Sequence, residues 1–178
     1  MREQAGTWQV GMREWHEFYT LMGTAGATLV GLMFVAASVG STNWSRRAAM
    51  RVFLSATVVH FSSVLCVSLC VLAPLPGVLA FGCLAAAIGC VGLIYCGAVV
   101  LDTVRDGLAR NIDWEDRIWY AGLPIVGYLA LGGSGVADAL QIEYADAVLT
   151  GAVVLLLIAG IRNAWDITIW AVTRPRNG

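Results

Sequence analysis

From Val52 to Leu101 the chain carries no Lys, Arg, Asp or Glu, and a single His. A helix needs about 20 mainly apolar residues to cross the hydrocarbon of a bilayer. This stretch is long enough for two such helices, and Pro74-Leu75-Pro76-Gly77 near its middle supplies a turn between them. A second uncharged stretch lies between Glu17 and Arg46. It predicts a helix over 18–39 that ends at Gly40-Ser41-Thr42-Asn43. The next helices are expected at 49–73 and 78–101. Charged residues 102–117 form a loop or a short surface helix. A fourth helix follows over 118–137, with Pro124 as a kink and Gly132-Gly133-Ser134-Gly135 weakening its end. After a short acidic loop, a fifth helix runs over 144–173.

The predicted fold class is therefore all-α: a polytopic membrane helix bundle with five transmembrane helices, or four if helix four or five is re-entrant. Residues 1–17 are not apolar enough to span. Trp8, Met12, Trp15 and Tyr19 share one helical face, which predicts an interfacial amphipathic helix at the N-terminus. Residues 18–173 form one transmembrane domain and 174–178 a short tail.

Composition agrees with this reading. Hydrophobic residues make up 58% of the 178 and charged residues 13%, about half the usual share in a soluble domain. Mean hydropathy is +0.74. The net charge of −1 lacks the basic field that a nucleic-acid partner requires. The five cysteines (Cys66, Cys70, Cys83, Cys90 and Cys96) all fall in the apolar hairpin, where they act as small hydrophobes. No cleavable leader is visible, so the first spanning helix is the expected insertion signal.

Arginine placement sets the expected orientation. Arg46, Arg47 and Arg51 flank the first connection, Arg105, Arg110 and Arg117 the third, and Arg174 and Arg176 the tail. The second and fourth connections have none. By the positive-inside rule the N-terminus lies outside and the C-terminus in the cytoplasm. Arg2 and Arg13 are exceptions. All seven tryptophans fall near predicted helix ends or in flanking segments, as an aromatic belt requires.

Four groups of residues could carry function. On helix one, Gly23, Ala27 and Gly31 recur every fourth residue beside Thr20, Thr24 and Thr28. Small residues allow close backbone approach and threonines can bond across a contact. The pattern fits packing within one subunit, self-association, or a polar path in an oligomeric pore. On helix three, Gly82, Ala86 and Gly89 repeat the small-residue theme. His60 near the middle of helix two is either a neutral imidazole bonded to another helix or part of a proton path. On helix five, Arg162, Asn163 and Asp166 form a boundary or intramembrane polar node. Arg162 and Asp166 stand four apart and can pair. No catalytic or metal-binding signature is present, so neither catalytic residues, a metal nor a cofactor are expected.

The run Phe18-Tyr19-Thr20-Leu21-Met22-Gly23-Thr24-Ala25-Gly26-Ala27-Thr28-Leu29-Val30-Gly31-Leu32-Met33-Phe34-Val35-Ala36-Ala37-Ser38 resembles the first helix of small uncharacterised bacterial multi-pass membrane proteins. Arg47-Ala48 is similar to a pair that opens their second helix, and Arg162-Asn163-Ala164-Trp165-Asp166 also resembles a segment in them. Some are labelled modulators of the FtsH membrane protease. The resemblance implies a bacterial inner-membrane protein with a regulatory role and brings no catalytic residues. The expected function is a non-enzymatic accessory protein acting through helix contacts, with the lipid bilayer, further copies of itself or another membrane protein as partners. The alternative is a homo-oligomeric channel or small-solute transporter lined by the threonine stripe or His60.

Overall fold

A computed structural model describes residues 15–39, 47–105 and 114–173. The predicted interfacial helix, with Trp8 and Met12, lies almost wholly outside the described residues. Five long helices account for nearly all of the rest: α1 (His16–Val39), α2 (Arg47–Leu72), α3 (Val78–Arg105), α4 (Trp114–Ala139) and α5 (Ala145–Thr173). Each lies within four residues of the end points expected from the sequence.

Four of these, α1, α3, α4 and α5, are long and apolar enough to cross a membrane. In the fifth, α2, the residues whose side chains are described form an apolar stretch, Ala56–Leu72. Within that stretch Thr57, His60, Ser63 and Ser68 are all buried among other helices. The protein is a multi-pass, membrane-embedded helical bundle. Its surface agrees, since Leu21, Phe34, Leu79 and Ile94 are each more than 60% exposed, a degree of apolar exposure suited to lipid.

The helices alternate in direction. Gly23 of α1 meets Ser68 of α2, and Gly26 meets Phe61 and Leu65. Gly82 of α3 meets Gly135 of α4, and Gly92 meets Tyr128. Gly127 of α4 meets Leu156 of α5, and Gly160 of α5 meets Phe61 of α2. Helices α2, α3, α4 and α5 close a ring, while α1 lies outside it, mainly against α2. The start of α1, the α2–α3 turn and the α4–α5 turn share one end. Arg105, Arg117 and Arg162 share the other.

Three local features shape this bundle. In α4, residues Ile118–Gly122 form a π-helical turn, closed by the Leu123 amide donating to the Ile118 carbonyl. Pro124 follows at once. Lacking an N–H, it cannot continue the regular ladder, and the widened turn absorbs the mismatch. The glycine run 132–135 predicts a weakened end of α4, yet the helix continues to Ala139. Gly132 and Gly135 lie against α3, and packing offsets the run's poor helix propensity. Beyond α4, Gln141 adopts φ +60. The Ile142 amide donates to the Ala137 carbonyl and the Gln141 amide to the Asp138 carbonyl, which is a Schellman cap.

Candidate functional site: a buried polar network

The most concentrated polar chemistry lies where α2, α4 and α5 meet. His60 is 1% exposed and Tyr128 is fully buried. The His60 Nδ1 stands 3.0 Å from the Tyr128 hydroxyl, and Ser63 Oγ stands 3.1 Å from the same hydroxyl. Ser63 also donates to the Val59 carbonyl at 2.8 Å. His60 and Ser63 are three residues apart, so one helical face presents both to Tyr128. Thr57, a further three residues back, is also buried.

Asn163 of α5 is 1% exposed. It stands three residues beyond Gly160, which packs on Phe61. Because α2 and α5 are antiparallel, this register carries Asn163 to the depth of Thr57 and His60. Neither atom of its carboxamide has a hydrogen-bond partner among the described residues, and neither has His60 Nε2.

Toward the arginine-bearing end the network becomes charged. Arg162 Nη1 pairs with Asp166 Oδ1 at 3.2 Å and Nη2 with Glu115 Oε1 at 3.7 Å. The guanidinium lies 5.7 Å from the Trp119 ring centre, and the Tyr120 hydroxyl donates to Asp166 Oδ2 at 3.4 Å. The Arg162 side chain is 37% exposed. It is paired and partly exposed, while its neighbour Asn163 is the buried member of the triplet.

No family model, curated protein or solved structure matches the chain.

The other end of the bundle holds a second polar group. Asp138 is 7% exposed, and Asp138 Oδ2 and Asp146 Oδ1 are buried without hydrogen-bond partners among the described residues. Nearby, the Tyr19 hydroxyl meets Thr150 Oγ1 at 3.2 Å. Among the described residues no three His, Cys, Asp or Glu side chains come together in a way that could hold a metal.

The sequence-derived stripes divide between inside and outside. Gly23 faces α2, but Ala27 and Gly31 are exposed, and Gly31 has nothing within 4 Å of where a Cβ would stand. The inward face of α1 is Tyr19, Gly23 and Gly26. Thr20, Thr24 and Thr28 are exposed, and each donates at 2.8 Å to a carbonyl of its own helix: His16, Thr20 and Thr24 respectively. The α3 stripe is internal to the chain. Gly82 abuts Gly135, Ala86 abuts Gly135, and Gly89 abuts Gly132. Sequence reasoning did not single out Tyr128. A usable signal was its position: it stands within α4, away from the helix ends where the tryptophans gather.

Proposed function

We propose that this chain is a non-enzymatic membrane accessory protein that acts through lateral helix contacts, with α1 as the contacting element. The supporting observation is the position of α1. It lies outside the four-helix ring, and its Thr20, Thr24, Thr28 and Gly31 positions are exposed. The threonine hydroxyls are already satisfied by their own backbone, so this face can meet lipid or another helix without stranding a polar group. A small open site such as Gly31 permits close helix approach. Further copies of the chain are the first expected partner, and another membrane protein the second. The likeness of this segment to small bacterial multi-pass proteins, some labelled modulators of the FtsH protease, points to regulation in a bacterial inner membrane. The arginine distribution argues for an outside N-terminus and a cytoplasmic C-terminus.

The test uses full-length protein in liposomes, with energy transfer between labelled copies as the readout. Self-association should fall at least tenfold in Gly31→Leu while its thermal unfolding stays that of the parent. Gly23→Leu is the wrong probe, because Gly23 packs against Ser68 of its own chain. A chain that is monomeric at every lipid ratio and captures no membrane protein in mild detergent would refute the proposal.

A second reading, transport, draws on the buried polar side chains spaced along the bundle: Asp138, Ser68, Ser134, Ser63, His60 and Asn163. It calls for proton or solute flux in the same liposomes that is lost in His60→Phe. Absence of flux from the parent protein sinks it.

A further inference from the structure

The hydrogen-bond chain ending at His60 has a defined direction. Ser63 has one hydroxyl hydrogen, and it is given to the Val59 carbonyl. At the 3.1 Å contact between Ser63 and Tyr128, Tyr128 must therefore be the donor. That uses the only hydrogen on the Tyr128 hydroxyl. At the 3.0 Å contact with His60, Nδ1 must then carry the hydrogen. A neutral imidazole has one N–H, so Nε2 is left as a bare lone pair. It is buried, has no partner among the described residues, and by the register that sets Gly160 on Phe61 stands at about the depth of Asn163. The Asn163 carboxamide offers both a donor and an acceptor, each likewise without a described partner. Burying such groups unpaired is costly. What satisfies all of them together is one small molecule that donates to Nε2 and to Oδ1 and accepts from Nδ2. Water has that inventory, and buried water commonly makes about three such bonds.

We propose that His60 is locked as its Nδ1–H tautomer by Tyr128 and Ser63, and that its Nε2 and the Asn163 carboxamide together bind one internal water between α2 and α5. The seam thereby holds a hydrogen-bond acceptor of imidazole strength inside a membrane bundle. Asp166 stands three residues from Asn163 on α5, at the arginine-bearing end. The site depends on neither functional reading above.

The experiment is solid-state NMR on full-length protein in lipid bilayers, labelled with 15N-histidine. His16 and His60 are the two histidines. His16 is exposed, so His16→Gln leaves His60 as the sole reporter. The expected spectrum shows Nδ1 protonated, Nε2 unprotonated, and magnetisation passing from water to the ring. In Asn163→Leu the water transfer should be lost while Nδ1 keeps its hydrogen. In Tyr128→Phe the tautomer lock should fail and both nitrogens should share the hydrogen. An Nε2–H tautomer in the parent protein overturns the proposal, as does a ring that receives nothing from water. Full water transfer in Asn163→Leu would place the water elsewhere and overturn the site.

Discussion

Gly89 and Gly132 face each other across the α3–α4 seam, yet an added methyl should be felt very differently on the two sides. A Cβ built on Gly89 would stand 2.7 Å from both Cα and N of Gly132 and 3.0 Å from the Tyr128 carbonyl oxygen. All of these are backbone atoms, which cannot swing aside. Restoring ordinary contact at 3.4 Å requires the helices to part by about 0.7 Å, and a gap of that size forfeits about a quarter to a half of each dispersion contact along the seam. Overpacking of this kind costs about 1–3 kcal/mol. A Cβ on Gly132 would instead sit 3.8 Å from Gly89 Cα and 3.9 Å from the Ala86 carbonyl oxygen, which is normal contact. Both changes gain about 1 kcal/mol of helix propensity, so that contribution cancels in a comparison. Gly89→Ala should therefore be less stable than Gly132→Ala by about 1–3 kcal/mol. Reversible unfolding of purified protein in mixed micelles, followed by tryptophan fluorescence, measures the difference. Gly133→Ala, with nothing within 4 Å, is the open-site control. Equal midpoints for Gly89→Ala and Gly133→Ala would refute the close approach itself.

Three more outcomes are expected in the same assay. Tyr128→Phe leaves His60 and Ser63 without their shared hydroxyl and should cost about 1–3 kcal/mol; a loss under about 0.5 kcal/mol would mean the network is not formed. Arg162→Ala removes a half-exposed pair and should cost no more than about 1 kcal/mol, with folded yield near that of the parent, whereas a collapse in yield would show that the guanidinium is a buried charge after all. Thr24→Val loses only a hydrogen bond within α1 and should change stability by less than about 0.5 kcal/mol; a larger loss would place that hydroxyl in a contact within the chain.

The helices were legible because hydrocarbon demands long uncharged runs, and those runs are unmistakable between Glu17 and Arg46 and between Arg51 and Asp102. Which faces meet was less legible. On α1, Gly23 belongs equally to the row Gly23-Ala27-Gly31 and to the row Tyr19-Gly23-Gly26, both compatible with helical spacing. The structure takes the second, with the Tyr19 hydroxyl meeting Thr150 on α5, a contact 131 residues away that no local pattern encodes. His60 stands out as an ionisable group in an apolar run, but its partner does not, because a tyrosine in a membrane helix reads as a boundary marker. Asp138 reads as loop in the sequence but is buried, since the Schellman turn lets α4 run one residue past it.

Large aliphatic side chains such as Leu21, Leu79 and Ile94 point outward, while the seam between α3 and α4 is made of glycine. Tolerance to mutation should follow that division. Exchanges among Leu, Ile, Val and Phe on the outer surface should pass almost unnoticed in a saturation library. The most severe losses should fall on residues with no side chain at all, Gly82, Gly89 and Gly135, so that the architecture is guarded by its smallest letters.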